Sequence, residues 1–172
     1  MNETLKTLTE RRSIRKFESR QIDPAQLEAI LKAGTYAPCG KGAQSACMVV
    51  VQDPETLQKL SKMNAAVLGN DSDPFYAAPT AIVVLADPAV ATCVEDGALV
   101  MGNLMNAAWS LGVGSCWIHR ARPVFESAEG RELLKKWGVP ENYIGVAHCV
   151  LGYPAGEIPA PKPRKENYIC RT

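Results

Sequence analysis

Four runs of consecutive apolar residues, separated by helical patterns, constrain the fold of this 172-residue chain more than any other feature. The runs are Cys47–Gln52, Thr80–Ala86, Ser115–His119 and Ile144–Leu151. Strands that are apolar on both sides occur in sheets whose two faces are both covered. The sequence therefore predicts a central sheet with a helical layer on each face, of the α/β or α+β class.

Capping residues mark several of the helices. Asp23-Pro24 and Asp53-Pro54 each place an acidic N-cap before a proline at the first helical position. The predicted helices run from Pro24 to Gly34, from Pro54 to about Met63, over Val94–Leu111 and over Glu129–Trp137, after a short amphipathic segment at Thr4–Glu10. The polar stretch that follows Met63 is predicted to be a mobile loop.

The sequence predicts a single domain spanning residues 1–172. The Val94–Leu111 helix carries small and apolar residues on several sides, which predicts a helix buried all round or one at a subunit interface. Residues 153–172 contain four prolines and are expected to form an extended tail. Asn64–Tyr76 is the candidate for a lid over a substrate.

Composition narrows the class of function. The net charge of +1 disfavours nucleic acid as a partner, because such binding uses a broad basic face. Six cysteines without a CxxC pair, and only two histidines, disfavour a metal site. We interpret Cys47, Cys116 and Cys149 as buried thiols in a reducing compartment. The absence of a signal-like or membrane-length apolar run leads us to expect a cytoplasmic protein.

A basic cluster near the N-terminus is the strongest candidate for a binding site. Arg11, Arg12, Arg15 and Lys16 lie within six residues, together with the hydroxyl of Ser13. Planar guanidinium groups and a short neutral hydrogen-bond donor can together bind a dianionic phosphate. A solvated basic face is the alternative. Near the other end of the chain, Lys162 and Arg164 alternate with prolines and could converge on the same anion.

Three glycine-containing segments could approach a ligand closely, although each could equally be a simple chain reversal. They are Ala37–Gln44, Leu111–Ser115 and Leu151–Pro154. No pairing of a nucleophile with a base emerges from the sequence. This favours a protein whose cofactor carries the reaction while side chains bind and orient it.

The order of these motifs resembles the FMN-dependent nitroreductase family, of which this chain looks like a short member. The matching segments are RRSIRKF, APCGKGAQ, FYAAPTAIVVLAD, LGVGSCWI, VAHCVLGYP and KPR. The resemblance implies an α+β, three-layer α/β/α sandwich with a mainly antiparallel sheet, built as an intertwined homodimer. It also implies FMN bound at the dimer interface.

The resemblance assigns roles to individual residues. Arg11, Arg12, Ser13 and Arg15 would bind the FMN phosphate and ribityl chain, and Lys162 and Arg164 would close on the phosphate from the tail. Pro38, Cys39 and Gly40 of the partner subunit, with the amide of Gln44, would lie beside the flavin ring. Trp117, Ile118, His119 and Arg120 would lie under the ring, with a backbone N–H of His119 or Arg120 near flavin N5.

The implied activity is hydride transfer from NAD(P)H through flavin N5 to a small electrophilic acceptor, such as a nitroaromatic or a quinone, by ping-pong kinetics. No side chain is then expected to be catalytic. Two alternatives remain open at this point. One is a specialised flavoenzyme of the same family, a dehalogenase or a flavin-fragmenting enzyme. The other is a non-catalytic flavin-binding protein.

Overall fold

A single four-stranded sheet forms the centre of the computed structural model, which describes residues 1–172. Its strands are β1 (Ala46–Val51), β2 (Thr80–Ala86), β3 (Gly114–Ile118) and β4 (Ile144–Gly152). They lie in the order β1-β2-β4-β3, and every neighbouring pair is antiparallel. The expected α+β class and mainly antiparallel sheet are confirmed.

Six α-helices surround this sheet. They are α1 (Glu3–Glu10), α2 (Pro24–Thr35), α3 (Pro54–Leu68), α4 (Cys93–Ser110), α5 (Ala121–Glu126) and α6 (Ala128–Lys136), with a short 3₁₀ turn at Gly40–Gly42. The Asp23 carboxylate accepts from the N–H groups of Ala25 and Gln26, and Asp53 accepts from Thr56. Both predicted caps are therefore confirmed.

Two hydrophobic cores fill the space between the layers. On one face, Ile30 of α2 and Met101 and Leu104 of α4 pack against the sheet. On the other face, Leu60 of α3, Phe125 of α5 and Leu134 of α6 do the same. The sheet is thus covered on both faces, as its continuously apolar strands predicted.

Several boundaries differ from the prediction. α3 continues to Leu68, so Asn64–Leu68 is helical and not part of a mobile loop. Tertiary burial explains this difference, because Met63, Asn64 and Ala65 all face the core and fix the helix there. α5 was not predicted, since six residues are too few to show a helical period. Cys47 is half-buried instead of buried, whereas Cys116 and Cys149 are buried as predicted.

α4 lies against β4 at very short range. A Cβ on Gly97 would lie 2.7 Å from Cγ2 of Val146, so only glycine allows this approach. α4 is not covered all round, because Val94 and Leu99 are exposed. Burial on all sides, one of the two predicted environments for this helix, is therefore not found within one chain.

The chain after β4 is extended, as expected. It contains no helix or strand, and its first residues run beside the basic cluster. Phe17 forms an isolated bridge with Pro154, and the N–H of Ala155 donates to the carbonyl oxygen of Lys16 at 2.9 Å. No helix combines the length and the apolar content needed to cross a membrane.

Candidate functional site

The basic cluster lies along the edge of β3. Ser13 pairs with Ser115 in an isolated parallel bridge, and the N–H of Ile14 donates to the carbonyl oxygen of Ser115 at 2.9 Å. The buried side chain of Ile14 packs near Gly114, where an added Cβ would lie 2.9 Å from it. Backbone pairing and one apolar anchor thus hold a run of cations against the sheet.

Two arginine nitrogens in this cluster are buried without a partner. Nη1 of Arg11 and Nε of Arg12 lack any hydrogen-bond acceptor. Nη1 of Arg12 donates to the carbonyl oxygens of Thr9 at 3.0 Å and Arg11 at 2.8 Å, which fixes this guanidinium at the end of α1. Because unsatisfied buried donors are costly, especially on charged groups, this pair points to an anionic ligand.

The buried thiol of Cys116 on β3 lies within the electrostatic influence of the cluster. Burial raises the pKa of Cys116, while the charge of Arg15, a hydrogen bond with Ser13 and the charge of Arg11 oppose the shift in that order. The charges of Arg15 and Arg11 thus act on a buried thiol of β3. Burial also raises the pKa of Cys149 to about 12, so this thiol stays protonated and inert despite the nearby Arg11.

A cavity of about 190 Å³ opens beside the cluster. It is lined by Ile14, Arg15 and Lys16 on one side and by Pro154, Ala155, Gly156, Glu157 and Pro159 on the other. A roomier cavity of about 540 Å³ lies away from the cluster, between α3 and the loop before β2. The smaller cavity is lined by two cations of the cluster, Arg15 and Lys16, so we place the candidate anion site on this side of β3.

Lys162 and Arg164 are not brought to this site within one chain. Both are exposed, and Arg164 hydrogen-bonds the carbonyl oxygen of Lys162. No hydrogen bond or ion pair joins either residue to the Arg11–Lys16 run. Only the first residues of the tail, through Ala155, contact the basic cluster.

The loop that contains Pro38, Cys39, Gly40 and Gln44 is tied to the start of α4. The buried carboxylate of Asp96 accepts from the N–H of Gly40 at 2.9 Å and from the hydroxyl of Ser45 at 2.6 Å. These hydrogen bonds, Ser45 first, lower the pKa of Asp96. Asp96 thus stays ionised and holds both ends of the loop.

This loop has little freedom to change sequence or shape. An added Cβ on Gly40 would lie 2.2 Å from Oγ1 of Thr92, which excludes any larger residue. Lys41 and Gln44 have positive φ angles of 53° and 49°. The N–H of Gln44 donates to Sγ of Cys39 at 3.4 Å. No hydrogen bond connects the loop to the basic cluster of the same chain.

The end of β3 forms a strained turn. Trp117 is half-buried and Ile118 is buried in the strand, whereas His119 is exposed and its side chain makes no hydrogen bond. Arg120 has a φ of 71° and a ψ of 13°, a left-handed conformation that is unusual for a residue with a Cβ. Its backbone N–H has no acceptor within the chain.

A buried asparagine on α3 holds this turn. Nδ2 of Asn64 donates to the carbonyl oxygen of His119 at 2.7 Å, and Oδ1 accepts from Nε of Arg120 at 3.0 Å. Sequence reasoning missed Asn64 because the polar residues after it favoured a loop. The available signal was its position between Met63 and Ala65 in an apolar helical pattern.

His148 is the other buried polar residue close to this turn. Its ring packs 5.1 Å from that of Phe75 and 5.9 Å from that of Phe125, between centroids. Neither ring nitrogen has a hydrogen-bond partner of normal geometry. Burial lowers the pKa of His148 to about 4; the Ile118 backbone opposes the shift and Arg120 adds to it. The ring is therefore neutral at pH 7.

Comparison with known proteins gives one consistent result. A model of the Nitroreductase family matches residues 8–74 and 66–153. The chain is 36% identical over 165 residues to a protein from Archaeoglobus fulgidus that is provisionally named as an NADH dehydrogenase/NAD(P)H nitroreductase, covering 91% of this chain and 88% of the relative. It is 29% identical to an FMN reductase [NAD(P)H] from Bacillus subtilis, covering 95% of this chain and 70% of the relative.

A solved structure resembles this fold over its whole length. A nitroreductase from Bacteroides fragilis, crystallised with bound FMN, superposes with a TM-score of 0.92 at 31% sequence identity. The match covers 100% of both chains. The elements that hold the basic cluster and the Arg120 turn are therefore part of a shared architecture.

Proposed function

This chain belongs to the nitroreductase family, and we propose that it is an FMN-dependent oxidoreductase that oxidises NAD(P)H and reduces a small electrophilic acceptor, such as a nitroaromatic or a quinone. The observation that carries the proposal is the pair of buried, unpaired donors on Arg11 and Arg12 beside β3. A cofactor with a terminal phosphate would satisfy both.

The residues present fit FMN. Arg11, Arg12, Ser13 and Arg15 would hold the phosphate and the ribityl chain, because they combine three cations with a hydroxyl around one edge of β3. The four residues from Ser115 to the end of β3 span three steps along the strand, or about 10 Å. An elongated cofactor lying along this edge would reach from the cations to the Arg120 turn.

When bound, FMN supplies hydride acceptance and donation at N5, which is the chemistry that no side chain in this site provides. The chain's own part is to bind and orient. Trp117 and Ile118 would form the floor under the ring, and the free N–H of Arg120 is available to a ring nitrogen. His119 would act through its backbone, since its side chain is exposed and makes no hydrogen bond.

The proposed active unit is a homodimer. α1 packs beside α4. Leu5 and Leu8 of α1 and Val94 and Leu99 of α4 are exposed apolar side chains. Exposed apolar patches of this kind mark interaction sites. In the dimer, Pro38, Cys39, Gly40 and Gln44 would meet the flavin of the partner subunit, and Lys162 and Arg164 would reach the phosphate. A dimer would account for the separation of these residues from the basic cluster within one chain.

The visible spectrum of the purified protein tests the proposal directly. We expect bound FMN, released on denaturation, that loses its oxidised absorbance when NADH or NADPH is added without oxygen. NAD(P)H and the electrophilic acceptor would occupy the same site in turn. Double-reciprocal plots at several acceptor concentrations should therefore be parallel. FMN that binds but resists both nicotinamides would contradict the enzyme and favour a carrier or sensor.

A further inference from the structure

Both ends of the Asn64 side-chain amide engage the segment after β3. Nδ2 donates a hydrogen bond to the carbonyl oxygen of His119 at 2.7 Å, and Oδ1 accepts one from Nε of Arg120 at 3.0 Å. The side chain is fully buried, so no water competes for either contact. A buried amide with both groups satisfied fixes what it touches.

The turn that Asn64 contacts needs such support. Arg120 occupies the left-handed region at φ 71°, where a Cβ is unfavourable. Arg120 also stands at the N-cap of α5 without making a side-chain capping bond. Strained residues of this kind persist only where the surroundings over-determine them.

The contact with His119 also sets the direction of an unpaired donor. The carbonyl of His119 and the N–H of Arg120 belong to one planar trans peptide and point in opposite directions. Because Asn64 draws the carbonyl toward α3, the N–H of Arg120 is aimed away from α3. That N–H has no acceptor in the chain and is therefore free for a ligand.

We propose that Asn64 is a positioning residue, which holds the left-handed turn at Arg120 so that its backbone N–H faces the flavin. This inference rests on the proposed function, because it takes FMN to be the ligand at the turn. Asn64 also directs the Arg120 guanidinium through Nε, and the terminal nitrogens of that group make no hydrogen bond within the chain. The guanidinium is thus held on the α3 side of the turn, and the backbone N–H is directed to the opposite side.

The test compares FMN binding and reduction potential between variants of the full-length protein. Asn64→Leu removes both hydrogen bonds and keeps the number and branching of the side-chain heavy atoms. We expect FMN affinity, measured by fluorescence titration of the apoprotein, to fall about tenfold, as for the loss of one or two buried hydrogen bonds. We also expect the reduction potential to shift. Asn64→Asp, which keeps the acceptor for Arg120 but loses the donor to His119, serves if Asn64→Leu does not fold.

A second background separates positioning from general stability. Glycine adopts the left-handed turn without penalty, so in Arg120→Gly the further change Asn64→Leu should have a smaller effect on FMN affinity. Ser61→Ala is the matched control, because Ser61 is a buried polar residue on the same helix but contacts Asp73. It should leave both affinity and potential unchanged.

The outcomes discriminate clearly. Unchanged FMN affinity and potential in a folded Asn64→Leu protein would overturn the role of Asn64 and leave the proposed function intact. If Asn64→Leu lowered FMN affinity equally in the wild-type and Arg120→Gly backgrounds, the role would also be overturned, since Asn64 would then not act through the turn. Wild-type protein that binds no FMN would remove the proposed function itself, and the inference with it.

Discussion

The backbone N–H of Ile14 donates a 2.9 Å hydrogen bond to the carbonyl oxygen of Ser115, which joins the N-terminal basic run to the edge strand of the sheet. These residues are 101 positions apart, so the contact joins distant parts of the chain. Through it, the cations at Arg11 and Arg15 and the strained turn at Arg120 come to lie along one strand. A single elongated ligand can therefore touch both.

Removal of one guanidinium from the cluster should weaken cofactor binding. Arg11→Ala deletes a buried charged donor that has no partner in the protein, so the fold should survive. Loss of a charge-assisted contact should cost roughly 1.5–3 kcal/mol, or about tenfold to a hundredfold in FMN affinity. Titration of the apoprotein measures this. Lys135→Ala, an exposed cation on α6, should have no effect.

Arg15→Ala should also lower FMN affinity, because Arg15 belongs to the same basic run held against β3 by Ile14 and lines the adjacent cavity. The two losses should not add simply when combined, since neighbouring cations would share one phosphate. Unchanged affinity in both single variants would show that the cluster is a solvated face and not an anion site.

Asp96 should stabilise the protein only while it is ionised. Its pKa is lowered by the hydrogen bonds from Ser45 and Gly40, so its contribution is full above the ordinary pKa of about 4 and is lost as the pH falls below that value. Asp96→Asn should therefore have a lower melting temperature than wild type at pH 7, and the gap should close in acid. Asp71→Asn changes an exposed carboxylate and should have the same melting temperature as wild type. A gap independent of pH would contradict this role.

His148 should make the protein less stable in mild acid. Its pKa is lowered to about 4 by burial, whereas an unfolded chain protonates histidine near 6.5. Between these values the unfolded state binds the extra proton, so stability falls as pH decreases, by at most about 1.4 kcal/mol per pH unit. Stability from this residue is complete above about pH 6.5.

Urea unfolding between pH 5 and 7 measures this effect. His148→Leu, a side chain of similar volume that does not titrate, should flatten the dependence on pH. His119→Gln leaves the buried His148 in place, so it should retain the wild-type dependence of stability on pH. An equally steep slope in His148→Leu would assign the effect to other residues.

The exposed side of α4 should be a subunit interface. Leu99→Glu places a charge at an exposed apolar position of α4, so sedimentation should show a shift from dimer to monomer and FMN should be lost with it. Val67→Glu is a matched control, because Val67 is 43% exposed and Leu99 is 45% exposed, but Val67 lies on α3. A flavin-loaded monomer of wild-type protein at micromolar concentration would contradict the dimer.

The local patterns in the sequence predicted the layers of this fold. Four apolar runs became the four strands, because a strand buried on both sides needs apolar residues at every position. Asp23 and Asp53 marked their helices correctly, since capping is a local interaction with the next three residues. The order of the motifs also identified the family, which the family model and the relatives confirm.

Local patterns could not predict α5 or the full length of α3. Six residues carry too little periodicity, and the helical state of Asn64–Leu68 depends on burial against other parts of the chain. The same limit applies to the role of Asp96, which no local pattern reveals. Its contact with Gly40 spans 56 residues and depends on how α4 packs.

The sequence alone thus determined which chemistry the chain carries, because residue types such as the cations around Ser13 and the absence of a nucleophile–base pair are visible without coordinates. Only the tertiary structure decided which of these groups meet and which donors remain unpaired. Nitrogens of Arg11 and Arg12 are buried without a hydrogen-bond partner because of how distant segments pack around them. The direction of the Arg120 N–H likewise depends on Asn64, which is 56 residues away. Hydrogen bonding between distant segments is a property of the folded chain, and no local pattern encodes it.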